Sequence, residues 1–190
     1  MKLRIVSEND AAALLGIYAQ YIDTPVSFEC TLPSAEEFAA RIREISRDYP
    51  YLVCEEKGKP IGYAYAHRQM ERAAYGWNAE LSVYIDGGRL SEGIGKKLYA
   101  ALTEILQLQN VVNVYGGVTL PNARSEGLHV SAGFSRSGVY RRTGFKNGAW
   151  HDVAWFEKAI APYTANPEPP LPISQIDREQ LEEIVRRHIQ

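Results

Sequence analysis

The most constraining feature of this 190-residue sequence is a change of hydrophobic period between Glu80 and Gln109. Apolar and polar residues alternate over residues 80–85, and this period of two is typical of a half-buried β-strand. Residues 86–88 include two consecutive glycines and predict a turn. From Gly95 onwards apolar residues recur at helical spacing, which predicts a helix packed on a core. The chain is therefore organised around a strand, a glycine loop and a helix.

The loop before this helix has the composition of an anion-binding site. Gly93 and Gly95 flank Ile94, and Lys96 adds positive charge. Free backbone N–H groups and the positive end of the helix dipole favour an anion at a helix start, and glycine allows close approach. The spacing fits neither a Walker loop nor the dinucleotide fingerprint, which needs a third glycine where Leu98 stands. On these residues alone, a loop that merely starts a helix remains the alternative.

Motifs spread over residues 2–160 carry a family resemblance. The segments SVYI, SEGIGKKLY and LPNARSEGLHVSAGF together resemble the GNAT superfamily of N-acetyltransferases. The segments TPVSFE, RDYPYLV, RAAYGWNAELSVY and GFKNGAWHDVAWF resemble one branch, the phosphinothricin and methionine sulfoximine acetyltransferases. The resemblance implies an α/β fold of the GNAT type, with a mixed, mostly antiparallel sheet and helices on both faces. It also implies acetyl-CoA as co-substrate and a homodimer. The spacing of His67, His151 and His188 fits no metal motif, so we expect no metal.

The resemblance assigns the glycine loop to the pyrophosphate of acetyl-CoA. The end of the preceding strand, and the start of a short helix that follows the next strand, are implied to contact the coenzyme as well. The implied cofactor-binding residues are Val83, Tyr84, Ile85, Ser91, Glu92, Gly93, Ile94, Gly95, Lys96, Asn122 and Ser125. Leu90 is a departure, because the superfamily prefers glutamine or arginine at this position, and Arg89 stands beside it.

Acetyl transfer to an amine needs a base, since only the neutral amine attacks a thioester. Glu80 matches the catalytic glutamate of the branch and lies on the strand face opposite Leu81 and Val83. His129 stands where the wider superfamily commonly carries a tyrosine that protonates the departing thiolate. The resemblance thus implies Glu80 as general base and His129 as acid. From the residues alone, a polar surface position on a short helix is the other interpretation of His129.

Three residues are implied to contact the acceptor. Phe28 matches an aromatic residue of a loop that covers the acceptor pocket, although a residue that packs a loop on the core has the same pattern. Arg72 and Tyr75 match positions near the acceptor, and an arginine suits a carboxylate because its planar fork makes two parallel hydrogen bonds. The expected acceptor is a small amino-acid analogue of the phosphinothricin, methionine sulfoximine or methionine sulfone type. The alternatives are another amine (a protein N-terminus, a polyamine or an antibiotic) and a non-catalytic coenzyme A sensor.

Composition narrows the remaining possibilities. A formal net charge of −2 and a pI of about 6.1 argue against nucleic-acid binding, because no basic block is present to neutralise phosphates. Residues 1–10 contain acids and no long apolar run, so we expect no signal peptide, no membrane contact and a cytoplasmic location. Cys30 and Cys54 have neither the spacing of metal ligands nor that of a disulfide framework.

The C-terminal residues lie outside the resemblance. We expect one acetyltransferase domain over residues 1–160, followed over residues 161–190 by a proline-rich linker and a helical extension. The apolar face of this last helix would contain Leu181, Ile184, Val185 and Ile189. The extension docks on its own domain, covers a neighbouring subunit or stays mobile, and the pattern does not distinguish these three cases.

Overall fold

The computed structural model of the protein describes residues 1–188 and has the order of elements that the hydrophobic pattern predicts. The seven strands are β1 (Lys2–Ile5), β2 (Tyr51–Glu56), β3 (Lys59–Arg68), β4 (Asn78–Ile85), β5 (Asn113–Thr119), β6 (Ser135–Lys146) and β7 (Ala149–Ala159). They form one sheet in the order β1-β2-β3-β4-β5-β7-β6. The pair β4–β5 is parallel, and the other neighbouring pairs are antiparallel. The predicted mixed, mostly antiparallel sheet is therefore confirmed.

Helices cover both faces of the sheet. The five α-helices are α1 (Ala11–Ala19), α2 (Ala35–Asp48), α3 (Ile94–Leu108), α4 (Ala123–Ser131) and α5 (Arg178–Arg187). Helices α1 and α2 share one core, and α3 and α5 share the core on the opposite face. A capping box begins α2, since the Ser34 hydroxyl accepts from the Glu37 N–H at 3.1 Å and the Glu37 carboxylate accepts from the Ser34 N–H at 2.7 Å.

The larger core fixes the glycine loop in space. Leu98, Leu102 and Ile105 of α3 are fully buried and pack with strand residues such as Leu52 and Leu81. Burial of each such side chain contributes roughly 1.5–3 kcal/mol relative to leaving it exposed. The first turn of α3 is therefore held rigidly next to the end of β4.

The C-terminal extension docks on its own chain. The side-chain amide of Gln109 donates to the Leu171 carbonyl at 2.7 Å, and the Trp77 indole donates to the Glu168 carbonyl at 2.8 Å. The apolar residues of α5 that join the α3 core are Leu181, Ile184 and Val185. Ile189, predicted on the same face, lies outside the described residues. Across residues 1–188, no helix is both long and apolar enough to cross a membrane.

Strands β4 and β5 separate near the middle of the sheet. Their parallel register covers three pairs, from Asn78 with Asn113 to Glu80 with Tyr115, although both strands continue beyond it. On its other edge, β4 stays paired with β3 to its end. The β5-facing backbone of β4 beyond Glu80 is thus left outside this ladder and lines an opening between the strands. Most of the predicted site residues collect around this opening.

Candidate active site

The two glycines of the loop have different structural roles. Gly93 directly precedes α3 and has a φ of 78°, a left-handed conformation that costs other residues roughly 1–2 kcal/mol. A Cβ on Gly93 would meet no atom within 4 Å, so the residue faces open space. A Cβ on Gly95 would instead lie 3.0 Å from Cδ2 of Leu128, so this glycine lets α3 and α4 pack closely. Gly93 therefore shapes the loop, and Gly95 brings α4 beside it.

A cavity of about 440 Å³ lies between the starts of α3 and α4. Nine of the predicted cofactor-binding residues line it: Val83, Ile85, Ser91, Gly93, Ile94, Gly95, Lys96, Asn122 and Ser125. The other two do not. The Tyr84 side chain lines cavities on the acceptor side, and Glu92 forms an ion pair with Arg89 at 2.9 Å. We call this space the coenzyme cavity.

The basic residues that line the coenzyme cavity are not only the predicted one, Lys96. Arg89 donates to Glu92 at 2.9 Å and to Glu56 at 2.8 Å, so its charge is already paired. Lys96 and Arg124 also line the cavity, and Arg124 was not predicted. A signal for Arg124 existed, because it stands two residues after Asn122, whose side chain accepts from the Ser125 N–H at 3.1 Å and caps α4.

Glu80 lies where β4 and β5 separate, and its carboxylate faces a second cavity of about 350 Å³, here called the acceptor cavity. Burial raises the pKa of the Glu80 carboxyl, and the proximity of His67 on the neighbouring strand opposes this shift in part. A carboxylate with a raised pKa is a better proton acceptor near neutral pH than an ordinary surface glutamate. The position and the electrostatics of Glu80 therefore suit a general base.

The acceptor cavity has one of the three predicted acceptor residues in its wall. Phe28, from the loop between α1 and α2, lines the cavity. Arg72 and Tyr75 are exposed on the loop before β4, and they line none of the cavities around Glu80 in the described part of the chain. Within one chain, the structure therefore brings Phe28 but neither Arg72 nor Tyr75 to Glu80.

Sequence reasoning missed most of the acceptor wall. Ser82 and Tyr84 line the cavity and share the strand alternation of Glu80, so the pattern contained a signal for both. Gly117 and Trp155 come from β5 and β7 and also line it. Nothing local in the sequence places them there, because their position depends on strand order and register.

His129 lies between the two cavities. The ring lines a small cavity of about 80 Å³, and the residue is 2% exposed. His129 is therefore not the polar surface residue of the alternative interpretation. Its Nδ1 donates to the Ser125 carbonyl at 2.8 Å, which leaves Nε2 of the neutral ring as an acceptor facing the Tyr99 hydroxyl at 3.4 Å. Burial lowers the pKa of His129, and the bond to Ser125 opposes this shift. The neutral ring is therefore the main form at pH 7.

The small cavity joins the other two. It shares Val83, Asn122 and Ser125 with the coenzyme cavity. It shares Glu80 and Gly117, among others, with the acceptor cavity. A thioester at the end of the first cavity would therefore meet an amine in the second beside Glu80.

Comparison with known proteins establishes the family. Residues 3–155 match the acetyltransferase (GNAT) domain. The chain belongs to the GNAT acetyltransferase family. It is 32% identical to the phosphinothricin N-acetyltransferase of Streptomyces viridochromogenes over 93% of this chain and 96% of that protein. The predicted family is confirmed, and the protein is an acyltransferase.

Solved GNAT structures have the same fold. A phosphinothricin acetyltransferase from Sinorhizobium meliloti, in complex with acetyl-CoA, aligns with a TM-score of 0.82 and 32% identity, over 88% of this chain and 91% of that one. A ribosomal-protein-alanine N-acetyltransferase from Brucella melitensis aligns with a TM-score of 0.81 and 32% identity, over 84% and 99%. The predicted GNAT fold is therefore confirmed.

Proposed function

We propose that this GNAT enzyme transfers the acetyl group of acetyl-CoA to the amino group of a small amino-acid analogue, with Glu80 as general base. The observation that carries the proposal is the continuity of the three cavities, with Glu80 where the small cavity meets the acceptor cavity. The names of similar proteins support the reaction and the class of acceptor.

The coenzyme cavity fits a pyrophosphate at its loop. The left-handed Gly93 faces open space, and the first N–H groups of α3 are free to donate to phosphate oxygens. Lys96 and Arg124 supply compensating charge at the same cavity. The edge of β4 at Val83 and Ile85 offers backbone groups to the amides of the coenzyme's pantetheine arm.

The chemistry is a direct transfer. Glu80 removes a proton from the acceptor ammonium, and the amine nitrogen then attacks the thioester carbonyl carbon. Backbone N–H groups of β4 beyond its pairing with β5 stabilise the negative charge that develops on the carbonyl oxygen. The carbon–sulfur bond breaks, the sulfur leaves as coenzyme A thiolate, and the second proton of the attacking nitrogen is lost to solvent. No covalent intermediate on the protein is needed.

His129 has the smaller part in this proposal. It donates a proton to the thiolate in its cationic form, and the lowered pKa makes this form a minority at neutral pH. A thiolate is a fair leaving group without protonation. We therefore assign the larger catalytic effect to Glu80.

Arg72 and Tyr75 remain proposed acceptor ligands. Both are exposed in the single chain and line none of the cavities around Glu80 within residues 1–188. In this proposal they bind the carboxylate or the polar head of the acceptor across the interface of a homodimer. Their role does not alter the position of Glu80 and Phe28 at the reacting end of the cavity.

The main alternative is a protein N-terminus as acceptor, which the similarity to the Brucella enzyme favours. The test is the release of free thiol from acetyl-CoA with a panel of amines. We expect turnover with phosphinothricin, methionine sulfoximine or methionine sulfone. Much faster turnover with peptides or polyamines would contradict the proposed acceptor, and no thiol release with any amine would favour a coenzyme A sensor.

A further inference from the structure

Lys146, the last residue of β6, is a buried lysine with an unusual set of partners. It is 5% exposed, and its ammonium group donates to the backbone carbonyls of Ile22 at 2.6 Å, Ser27 at 2.5 Å and Glu29 at 2.8 Å. An ammonium group has three N–H donors, and here each has an acceptor. These bonds offset the cost of removing the charge from water. These contacts are specific to lysine, because its ammonium group presents three donors on a single atom at the end of a long side chain.

The three carbonyls belong to one segment, the acceptor loop (residues 20–34), which joins α1 to α2. This loop contributes Val26 and Phe28 to the acceptor cavity. The Phe28 ring packs on Gly144, where a Cβ would lie 2.3 Å from ring atoms. The Asn147 side chain adds a further bond from the β6–β7 turn to the loop, at 2.8 Å. The lysine is thus the centre of a contact that holds one wall of the acceptor cavity against β6.

We propose that Lys146 is a positioning residue for the acceptor: it holds Phe28 in the cavity wall and thereby lowers the KM for the amine. The inference rests on the proposed function because that function identifies the ligand as an amine. The contacts of Lys146 with the loop are independent of that function. A loop without regular structure loses conformational freedom when a ligand orders it, and this loss weakens binding. The three bonds of Lys146 order the loop in advance. Lys146 does not line the coenzyme cavity, but Tyr21 and Val26 of the same loop do, so we expect a smaller effect on coenzyme binding than on amine binding.

The test compares two lysines that each donate to backbone carbonyls. Lys146→Met removes the ammonium and keeps an unbranched apolar chain. Lys158→Met is the matched control, since Lys158 donates to the Ala132 carbonyl at 2.9 Å, far from the acceptor loop. We expect Lys146→Met to raise the KM for the amine about tenfold, as expected for lost hydrogen bonds to a charged group, with a clearly smaller rise in the KM for acetyl-CoA. Lys158→Met should change neither.

A purely structural role would have a different signature. Equal rises in both KM values, or a lower melting temperature with an unchanged KM for the amine, would overturn the proposal. If Lys146→Met does not fold, Lys146→Arg is measured instead; it keeps the charge but cannot reproduce three donors at one point, and the same pattern is expected. Hydrogen exchange over residues 20–34 needs no substrate. Faster exchange in the variant supports the clamp even if no amine is acetylated, and unchanged exchange overturns it.

An independent observation concerns the head group of the acceptor. A cavity of about 460 Å³ adjoins the acceptor cavity, and five of its twelve lining residues are tyrosines; we call it the tyrosine cavity. The β3–β4 register sets Tyr65 opposite Ser82 and Tyr63 opposite Tyr84, on the sheet face that carries Glu80. Ser82 is two residues from Glu80, about 7 Å along the strand. An amine at Glu80 would thus place a head group three or four atoms away at the edge of the tyrosine cavity.

The tyrosine cavity offers hydrogen-bond donors but no net charge. Within residues 1–188, its charged lining residues are Glu29 and Arg41, and they form an ion pair of 2.5 Å. The second carboxylate oxygen of Glu29 is buried and has no hydrogen-bond partner in this described range. Burial raises the pKa of Tyr51 and of Tyr63, so their hydroxyls stay protonated. A ligand in this cavity therefore meets hydroxyl donors and an ion pair whose arginine is already engaged.

We infer that the enzyme prefers an acceptor with a neutral tetrahedral head, such as a sulfone or a sulfoximine, to one with an anionic phosphinate. Sulfone and sulfoximine oxygens accept from hydroxyl donors without burying a charge. A phosphinate would lose hydration next to a carboxylate whose arginine is already paired. This inference rests on the proposed function, because it concerns the head group of the same acceptor.

The test is the ratio of kcat/KM for methionine sulfone to that for phosphinothricin. We expect a ratio of about ten or more in the wild type, from one good hydrogen bond or one buried unpaired charge. Glu29→Gln removes the repulsion and should lower the ratio about fivefold, whereas Arg41→Gln leaves Glu29 unpaired and should raise it about fivefold. A wild type that prefers phosphinothricin, or a ratio that neither variant changes, would overturn the inference. No turnover of either compound would contradict the proposed function instead.

Discussion

The coenzyme side and the acceptor side of this GNAT enzyme are built from different material. The coenzyme cavity draws mainly on one continuous stretch, from β4 through the glycine loop into α3, and on the start of α4. Its proposed ligand-binding groups are largely backbone N–H groups and two glycines. The acceptor cavity draws on four strands and on the loop between α1 and α2, and its groups are side chains.

This difference has a consequence for how each side tolerates change. Backbone donors are supplied by every sequence that adopts the fold, so a coenzyme that many enzymes share is bound by them. Side chains can be exchanged without altering the sheet, so the acceptor side can vary in specificity. We expect a single substitution to have its largest effect on turnover on the acceptor side, where one carboxylate is proposed to act alone.

The largest expected effect tests this expectation at Glu80. Glu80→Gln keeps the size of the side chain and removes the basic oxygen. An α-ammonium has a pKa of about 8 in a peptide and a higher one in a free amino acid, whose carboxylate stabilises the cation, so little neutral amine exists at pH 7 and the base is needed most there. We expect turnover to fall by about 100-fold or more at pH 7 and to recover partly towards pH 9, measured as thiol release across pH.

The pH profile of the wild type supplies the control. The Glu80 carboxyl has a raised pKa, so the wild type should lose activity on the acidic side as this group becomes protonated. The variant should lack the contribution of this carboxyl, so its activity should fall continuously towards low pH with the fraction of neutral amine alone. A variant equal to the wild type from pH 6 to pH 9 would show that solvent alone deprotonates the amine, and the comparison between the two sides would lose its main point.

The second prediction tests the coenzyme side at Gly95. Valine there would press on Leu128 and move α4, which carries Asn122 and Ser125, away from the loop. We expect acetyl-CoA binding to weaken by about one to two powers of ten, at about 1.4 kcal/mol per power of ten, with the KM for the amine less affected. Calorimetric titration measures the binding, and a thermal melt measures the accompanying loss of stability.

The matched control is Gly16→Ala in α1, where a Cβ meets no atom within 4 Å. This change should leave acetyl-CoA affinity unchanged and stabilise the fold slightly, because alanine favours a helix. Unchanged affinity in Gly95→Val, with an intact fold, would show that the start of α4 does not belong to the coenzyme site.

The same contrast explains how much could be predicted from the sequence. The strand, the loop and the helix around Gly93 are encoded by local patterns of period and glycine, so most of the predicted cofactor residues line one cavity. The ion pair between Arg89 and Glu56 was not predictable from local sequence, because Glu56 lies in β2, far from Arg89 along the chain. Local patterns therefore predict the backbone of the coenzyme side well and its ion pairs poorly.

The acceptor side depends on contacts between distant parts of the chain. Glu80 approaches Gly117 because β4 and β5 separate after three pairs, and no local pattern predicts where a parallel ladder stops. Lys146 meets carbonyls more than a hundred residues earlier in the chain. The sequence resemblance supplied Phe28, and only the fold shows what holds it in place.

The smallest expected effect concerns His129, which lies between the coenzyme cavity and the acceptor cavity. Its substitution tests to which of the two sides the residue belongs. His129→Phe keeps an aromatic ring against Phe156 but removes the bond to the Ser125 carbonyl. The neutral form of His129 dominates, and coenzyme A thiolate leaves readily without protonation. We therefore expect the loss of kcat to be much smaller than the factor of about 100 that a positioned acid or base usually contributes. Steady-state kinetics with each substrate varied in turn separates the two sides. If only the KM for acetyl-CoA rises, the role of His129 is to support α4. If the loss of kcat is larger than that of Glu80→Gln, the proposed roles of the two residues are reversed.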